Sequence, residues 1–368
     1  MTKKIVEYYV PWVKGIPMYI SSHIELAWRR PELHRMMSNE NPNQPSKKVL
    51  EAIQKFGEMS NRYPDQGLVV RSKIVEINQL DGPENVMLGN GSSEVFDNIF
   101  RSFLQPGEEV IQHIPCFGIY KLRCNILGGK LVSVPMVYKD RKELVYDPDA
   151  VLGAVTDKTK IIVIANPNNP TGNFMDAKSF LRIAETGIPF IVDEAYIEYA
   201  GLQMSQVGLT KKYENVLITR TLSKAYGLAG MRFGYALGAK KVIDQISAAL
   251  LPWNVGTIPM WAALAAFEDK EALEERVKFN NREVDFIQES LSDIPGLVIF
   301  HSHANYILFD AGETGKKGKD MVKYAEEKGL IFRPESEKHG SDGWFRITIG
   351  TEEENHMAVQ VVREFLTS

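Results

Sequence analysis

The sequence has little of three features that would each indicate a particular class of protein. Its 368 residues include only two cysteines, Cys116 and Cys124, and these lack both a CxxC spacing and companion ligands. Apolar runs of about 18 residues, the length that crosses a bilayer, do not occur. The net charge is −4, without long runs of one sign. These absences argue against a metal site, a membrane protein and a nucleic-acid-binding surface.

The composition is that of an ordinary soluble globular protein. Hydrophobic residues make up 44% of the chain and charged residues 24%, which allows a large core and two domains. The first residues, MTKKIVEYYVPWVKGIP, are interrupted by Glu7, Lys14 and prolines before any signal-type apolar core forms. We therefore expect a cytoplasmic protein with small-molecule partners, whose two cysteines are reduced and buried on a helix.

Short apolar runs alternate with helical patterns between about residues 85 and 240. This alternation is typical of an α/β domain with a mostly parallel central sheet. Nearly continuous apolar runs such as IIVIA indicate strands that are covered by helices on both faces. The predicted strands are NVMLG, EEVIQHIP, KLVSVPM, KIIVIANP, PFIVDEAY, NVLITRTL and FGYALG.

The pattern changes near residue 270. A long charged helical stretch (270–293) is followed by the predicted strands GLVIF, NYILFD, LIFRP and WFRITIG, with a helix near 317–328 and a terminal helix. This order predicts a smaller α+β domain. We expect an amino-terminal arm that contributes to this domain (1–44), a large domain (45–270) and a small carboxy-terminal domain (271–368).

Ligands in open α/β sheets gather beyond the carboxyl ends of the strands. After the first strand, LGNGSSEVFDNIF offers the backbone N–H groups and hydroxyls of Ser92 and Ser93 to an anion such as phosphate. The same segment is a near match to a dinucleotide fingerprint, with Glu94 in place of the third glycine. An ordinary capped helix start remains an equally good interpretation of this loop alone.

Two later strand ends carry polar side chains. ANPNNPTG predicts a rigid turn whose side-chain amides can face a ligand. IVDEAYIEY ends an apolar strand with Asp193, Glu194 and Tyr196. A carboxylate at the end of a buried strand needs a partner, so Asp193 either caps a local turn or pairs with a buried cation.

Lys224 follows the buried strand NVLIT and is surrounded by small and apolar residues. Solvation at the end of a strand is the simplest interpretation of this position. Arg232 lies eight residues later, and a second positive charge near Lys224 would keep the amine deprotonated enough to attack a carbonyl.

Taken together, these motifs resemble the class I and II aminotransferases of fold type I, which use pyridoxal 5′-phosphate (PLP), and most closely the histidinol-phosphate aminotransferases. The resemblance extends from SNENP at residue 38 to FRITIGTEEEN at 345–355 and includes RYPD, NPNNPTG, DEAY and TLSKAYGLAGMR in the family's order. It implies a fold-type I transferase with a large, mostly parallel sheet domain and a smaller α+β domain.

The resemblance also implies roles at a PLP site. Lys224 would bind the cofactor covalently and move the proton during transamination, and Asp193 would bind the pyridine nitrogen. Asn169 and Tyr196 would bind the ring oxygen. Phe117 stands where the family has a tyrosine stacked on the ring. The phosphate group would be held by Ser92, Ser93, Ser223 and Arg232.

A homodimer with shared active sites follows from the same resemblance. Tyr63 of RYPD matches a tyrosine that reaches the phosphate of the neighbouring subunit. The amino-terminal arm departs from the family because it is longer and more aromatic. Tyr19, Trp12 and His23 are candidate pocket residues, although packing roles are the more ordinary interpretation.

Two arginines are candidate substrate-binding residues. Arg346 matches the arginine that grips the substrate carboxylate throughout the class, and Arg333 matches an additional arginine that helps to bind the substrate phosphate in histidinol-phosphate aminotransferases. Snorkelling to the surface is the simplest alternative for each. The pair predicts transfer of an amino group between L-histidinol phosphate and 2-oxoglutarate.

Other functions are compatible with parts of the sequence. An aromatic amino acid aminotransferase or a threonine-phosphate decarboxylase-like lyase would keep the fold and the cofactor. A PLP-sensing regulator would need a DNA-binding domain ahead of NENP, where only about 40 residues without a helix-turn-helix pattern are found. A nicotinamide dehydrogenase is disfavoured because Glu94 replaces the fingerprint glycine.

Overall fold

A computed structural model describes residues 4–18, 21–335 and 341–368. No helix among these residues is long and apolar enough to cross a membrane. The strands are β1 (His34–Arg35), β2 (Val86–Asn90), β3 (Glu109–Ile114), β4 (Lys130–Pro135), β5 (Val137–Asp140), β6 (Glu143–Val145), β7 (Thr159–Ala165), β8 (Phe190–Asp193), β9 (Val216–Thr221), β10 (Phe233–Leu237), β11 (Val298–Ile299), β12 (Tyr306–Asp310), β13 (Leu330–Ile331), β14 (Arg333–Pro334) and β15 (Trp344–Thr348).

Helices surround these strands. They are α1 (Ser22–Arg29), α2 (Lys47–Gly57), α3 (Leu68–Asn78), α4 (Ser92–Phe103), α5 (Ile119–Ile126), α6 (Pro148–Gly153), α7 (Ala177–Ala184), α8 (Ile197–Ala200), α9 (Lys240–Ser247), α10 (Thr257–Glu268), α11 (Lys270–Leu291), α12 (Gly318–Glu327) and α13 (Glu352–Thr367). The predicted helices at 270–293 and 317–328 are confirmed as α11 and α12.

A seven-stranded sheet in the order β2-β10-β9-β8-β7-β3-β4 forms the centre of the molecule. Each of its strands corresponds to one of the seven apolar runs predicted before residue 240. Only β10 runs antiparallel to its neighbours, β2 and β9, while the remaining pairs are parallel. The α/β prediction with a mostly parallel sheet is therefore confirmed.

Both faces of this sheet are buried, as the continuous apolar runs indicated. In β7, Ile162 and Ile164 pack into one hydrophobic core, whereas Ile161 and Val163 point into a second core on the opposite face. Successive side chains of a strand alternate between faces, so one apolar run supplies both cores. Burial of each such side chain contributes about 1.5–3 kcal/mol.

A smaller antiparallel sheet, in the order β11-β12-β15-β14, follows α11. Its two faces differ. Ile307 and Phe309 pack against helices in a separate core, whereas Tyr306 and Leu308 on the other face contact residues of the larger sheet's layers. This second face borders the carboxyl ends of the parallel strands, because Tyr306 donates a hydrogen bond of 2.5 Å to the Asn168 carbonyl oxygen.

The amino-terminal segment packs beside this smaller sheet. Strand β1 pairs in parallel with β13, with His34 opposite Leu330. Met36 is fully buried in the same core as α12 and α13. The long segment between Ser38 and α2 then crosses to the layers of the larger sheet.

The two cysteines differ in their surroundings. Cys124 is buried in α5, as expected, whereas Cys116 is half-buried and precedes that helix. The prediction that both lie buried on one helix was therefore wrong for Cys116. Pro115 and Gly118 flank Cys116 and delay the helix start. Cys116 and Cys124 are not joined by a disulfide bond.

His113 is a buried polar residue of the central sheet. It is 2% exposed and packs edge-on against the Tyr146 ring with centroids 4.9 Å apart. Neither ring nitrogen has a hydrogen-bond partner among the described residues. Because burial disfavours the charged ring, the pKa of His113 is lowered to about 4.

This burial predicts an acid-sensitive fold. The pKa of an unfolded histidine is about 6.5, so between pH 6.5 and 4 the unfolded chain binds more protons and stability falls as the pH falls. Between about pH 7 and 5, we expect the wild-type free energy of unfolding to drop by about 2 kcal/mol more than that of His113→Phe. Denaturant titration at both pH values measures this difference.

A change of the exposed His356→Gln serves as the matched control and should keep the wild-type pH dependence. Equal losses of stability in the wild type and in His113→Phe would show that His113 does not contribute to acid sensitivity.

Candidate active site

The candidate site lies where strands of the larger sheet end together. Register pairs Ala165 with Asp193 and Asp193 with Thr219. The carboxyl ends of β7, β8 and β9 therefore lie at the same edge of the sheet. The turn that carries Asn169 follows β7, and the turn that carries Lys224 follows β9. This is the edge where ligands gather in α/β sheets.

Asp193 is 4% exposed at the end of β8. Its Oδ2 accepts a hydrogen bond of 2.6 Å from the Tyr120 hydroxyl, and its Oδ1 accepts one of 3.2 Å from Thr219 Oγ1. Burial nevertheless raises the pKa of this carboxyl to about 6. The local turn expected from the sequence contributes a hydrogen bond from the Ala195 backbone, in addition to those from Tyr120 and Thr219.

The buried ion pair belongs to the next residue instead. Glu194 and Arg220 are fully buried, with 2.9 Å between Oε2 and Nη2. Arg220 also donates to Asn78 Oδ1 and Ser205 Oγ, so its guanidinium is well satisfied. Strand alternation places this pair on the face opposite Asp193 and Thr219. Arg220 was not among the residues predicted from the sequence, because nothing in the run NVLITRTL indicates that its arginine is buried.

Lys224 lies in the turn after β9. Its Nζ donates to the carbonyl oxygens of Ser38 and Asn39, both at 3.1 Å, and lies 5.7 Å from the centroid of the Tyr196 ring. Burial, reinforced by the positive charge of Arg346, lowers the pKa of the amine to about 8. The amine is therefore a far better nucleophile near neutral pH than an exposed lysine.

Tyr196 and Asn169 face the same space. The Tyr196 hydroxyl accepts hydrogen bonds from Asn39 Nδ2 at 2.8 Å and from Asn169 Nδ2 at 3.4 Å. Burial raises the pKa of Tyr196 to about 12, which keeps its hydroxyl protonated. Asn39, from the SNENP segment, had no assigned role in the sequence analysis. Its polar position directly before a proline-containing turn was the available signal.

A cationic cradle lies at the start of α4. Gly91 has φ +76°, and an added Cβ there would collide with the Arg232 guanidinium. Arg232 Nη1 also donates to Ser223 Oγ at 3.4 Å. The first helical residues, Ser92 and Ser93, present backbone N–H groups at the helix N-terminus, where an anion is stabilised.

Glu94 has a structural role in this loop. Its Oε2 accepts hydrogen bonds from the Asn90 backbone at 2.6 Å and from Asn254 Nδ2 at 2.8 Å. The carboxylate thus joins the end of β2 to the first turn of α4. This contact explains why a glutamate stands where a dinucleotide fingerprint has its third glycine.

Arg346 connects the smaller sheet to the candidate site. It is 7% exposed, and its Nη1 donates to Asn169 Oδ1 at 2.5 Å while Nη2 donates to the Met37 carbonyl at 3.2 Å. Glu335 forms an ion pair with Nη1 at 3.2 Å. Snorkelling to the surface is therefore wrong for Arg346.

Arg333 stands directly opposite Arg346 on the neighbouring strand. Directly opposed residues of an antiparallel pair project to the same face, so both arginines belong to the face that borders the site. Arg333 is half-buried, and its Nη1 contacts His23 Nδ1 at 3.3 Å. His23 therefore lies beside a proposed substrate residue.

Other residues named from the sequence lie elsewhere in the protomer. Tyr63 is 78% exposed and stacks on Trp253 with centroids 4.3 Å apart. Trp12 lies against Gly128. Phe117 packs edge-on to Tyr120 with centroids 6.0 Å apart. Tyr19 falls outside the described residues.

These features fit an aromatic, anionic cofactor that carries a carbonyl group. A buried carboxylate at Asp193 suits a ring nitrogen that must stay protonated, and the cradle at Gly91 and Arg232 suits a phosphate group. Lys224 experiences the charges of both Asp193 and Arg232, so the three groups share one electrostatic environment. A nucleophilic amine beside such a cradle is what PLP requires.

Comparisons with known proteins agree with this arrangement. The family model for aminotransferase class I and II matches residues 32–362. The chain is 36% identical to histidinol-phosphate aminotransferase 1 of Bacillus cereus, over 90% of this chain and 88% of that protein. It is 32% identical to histidinol-phosphate aminotransferase of Methanothermobacter thermautotrophicus, over 91% and 89%.

A solved structure agrees in fold. Histidinol-phosphate aminotransferase from Sinorhizobium meliloti, in complex with pyridoxal-5′-phosphate, superposes with a TM-score of 0.88. The match covers 98% of each chain at 22% sequence identity. The fold-type I prediction is thereby confirmed.

The lowered pKa of Lys224 is open to direct measurement. Reductive methylation of the cofactor-free protein between about pH 6 and 10, followed by peptide mass spectrometry, should show half-maximal modification of Lys224 near pH 8. Exposed lysines in the same digest should need a higher pH. Arg346→Gln should raise the midpoint for Lys224, because Arg346 is the largest charge contribution to the shift. A midpoint that matches the exposed lysines would contradict the site's electrostatics.

Proposed function

The chain belongs to the class I and II aminotransferases and is a PLP-dependent aminotransferase, and from this premise we propose that its amino donor is a phosphorylated amine. L-Histidinol phosphate is the best candidate donor, and 2-oxoglutarate is the proposed acceptor. The observation that carries this proposal is the pair of arginines, Arg333 and Arg346, which face the site from directly opposed positions on two strands. The names of the relatives support the same choice.

Two adjacent guanidinium groups suit a phosphate better than a single carboxylate. A phosphate carries up to two negative charges and accepts several hydrogen bonds, which arginine forks satisfy well. Glu335 already balances the charge of Arg346, so the phosphate of the donor would pair mainly with Arg333. In the second half of the reaction, the carboxylate of 2-oxoglutarate would bind Arg346 in place of Glu335 or beside it.

The residues around Asp193 would hold the ring of the cofactor. Bound PLP supplies an electron-withdrawing ring that stabilises negative charge on the substrate α-carbon. Asp193 would bind the pyridine nitrogen, whose positive charge would offset the burial that raises the pKa of this carboxyl. Tyr196 and Asn169 would donate hydrogen bonds to the ring oxygen, and Phe117 would pack against the ring.

Lys224 would hold the cofactor covalently and then act as the base. Its amine, with a pKa of about 8, is poised to accept a proton from the substrate α-carbon near neutral pH. The Ser38 and Asn39 carbonyl oxygens fix the position of Nζ. Four residues would bind the phosphate group of the cofactor, namely Ser92, Ser93, Ser223 and Arg232.

The quaternary structure and the domain division are part of the same proposal. Tyr63 would complete the site of a second subunit in a cytoplasmic homodimer, which fits its 78% exposure in the single chain. Residues 1–44 would form the arm and part of the small domain, 45–270 the large domain and 271–368 the rest of the small domain.

The donor is tested by removing Arg333. Loss of a charge-assisted contact costs about 1.5–3 kcal/mol, so Arg333→Ala should weaken use of histidinol phosphate by roughly tenfold to a hundredfold and affect glutamate less. Single-turnover amino transfer, followed by the absorbance of the bound cofactor, measures this with histidinol phosphate, threonine phosphate, phenylalanine, tyrosine and glutamate. Arg182→Ala, on α7, where the side chain pairs with Asp149, should behave as the wild type.

The same screen distinguishes the alternatives. If phenylalanine or tyrosine outperforms histidinol phosphate and Arg333→Ala changes neither, an aromatic aminotransferase replaces the proposal. Release of carbon dioxide from threonine phosphate would instead indicate the lyase.

Shared active sites predict complementation between inactive chains. Mixing Lys224→Ala with a Tyr63→Ala chain should restore activity, because one site of the heterodimer then has an intact lysine and an intact partner tyrosine. A Lys224→Ala and Asp193→Asn mixture is the matched control and should stay inactive, since both residues belong to the same chain's site. Failure of the first mixture despite demonstrated subunit exchange would place each site within one chain.

A further inference from the structure

Glu335 directly follows β14 and projects toward the candidate site. Its backbone N–H donates to the Trp344 carbonyl at 3.2 Å, which continues the β14 and β15 ladder by one residue. Residues two apart on a strand share a face, so Glu335 lies on the same face as Arg333. Arg346, opposite Arg333, completes a group of two cations and one anion.

Glu335 and Arg346 form a buried pair. They are 5% and 7% exposed, and 3.2 Å separates Arg346 Nη1 from Glu335 Oε1. The same Nη1 contacts Asn169 Oδ1, and the guanidinium carbon lies 5.1 Å from the centroid of the Tyr306 ring. The charge of Arg346 is therefore balanced by a carboxylate of the chain itself.

A ligand carboxylate at Arg346 must replace Glu335 or share the guanidinium with it. Two carboxylates on one buried arginine repel each other in a poorly screened environment. A donor that brings no carboxylate, and whose phosphate binds at Arg333, leaves the pair intact. Without Glu335, the same donor would leave the buried guanidinium of Arg346 without an ionic partner. A site discriminates strongly against a ligand that leaves one of its buried polar groups unpaired.

We propose that Glu335 is a specificity-determining residue that competes with ligand carboxylates for Arg346. The pair thereby favours donors whose amine-bearing carbon carries a hydroxymethyl or phosphorylated hydroxymethyl group instead of a carboxylate. This inference rests on the proposed function in taking Arg346 as the carboxylate-binding residue.

A purely structural role makes the opposite prediction for carboxylate binding. If Glu335 only orients Arg346, its removal should disorder the guanidinium and weaken carboxylate binding. If Glu335 competes, its removal should strengthen that binding. The sign of the change therefore decides between the two roles.

The first experiment measures the binding of maleate, an unreactive dicarboxylate, to the PLP-loaded enzyme by calorimetry. We expect Glu335→Gln to bind maleate at least about tenfold more tightly than the wild type, because one charge-assisted contact no longer has to be broken. Exposed Glu352→Gln, on the terminal helix, should match the wild type. Unchanged or weaker binding in Glu335→Gln would overturn the proposal.

The second experiment compares L-histidine with L-histidinol. Histidine carries a carboxylate where histidinol carries a hydroxymethyl group, and the two are otherwise the same. Single-turnover rates are measured from the absorbance of the bound cofactor. The ratio of the rate with histidine to the rate with histidinol should be about tenfold higher in Glu335→Gln than in the wild type. Glu335→Met, of similar length and without charge, should shift the ratio in the same direction. A ratio that stays at the wild-type value in both variants would overturn the proposal.

Thermal melting and PLP content of each variant show whether the fold and the cofactor site are intact. Failure of the wild type to bind PLP or to react with any amine would count against the proposed function. A wild type that reacts while the variants show no change in maleate affinity or in the ratio would count against the role of Glu335 alone.

Discussion

The parallel register of β7, β8 and β9 is the constraint on which the site depends. It places Asp193 beside Thr219 at the end of the sheet, and the turns that carry Asn169 and Lys224 start from the same edge. Strand alternation then separates the polar groups. Asp193 faces the site, while Glu194 pairs with Arg220 on the other side of the sheet. A shift of one residue would exchange these two carboxylates.

Burial acts on the two central ionisable groups in opposite directions. It raises the pKa of Asp193 to about 6 and lowers the pKa of Lys224 to about 8, because the charged form of each is penalised. The two values therefore lie closer together than those of an exposed carboxylate and an exposed lysine. A protonated ring nitrogen would restore the charge of Asp193, whereas the neutral form of Lys224 is the form that attacks a carbonyl.

In the proposed function, the smaller sheet supplies the substrate side of the site. Its inner face carries Arg333, Glu335 and Arg346, and its outer face is packed with side chains such as Ile307 and Phe309. Arg346 reaches Asn169 on the turn after β7, so a proposed substrate residue and a proposed cofactor residue are in direct contact. Substrate charge at Arg346 can thus influence the hydrogen bonds around Tyr196.

The sequence by itself determined the seven strands of the main sheet and the polar residues that follow them, because apolar runs and turn residues are local signals. It also singled out Lys224, Asp193 and Arg346 through family-like motifs. Only the tertiary structure showed that Tyr120 donates a hydrogen bond to Asp193, that Arg220 pairs with Glu194 and that Glu335 pairs with Arg346. These partners lie 11 to 73 residues apart in the chain, and a linear pattern carries no information about which distant side chains meet.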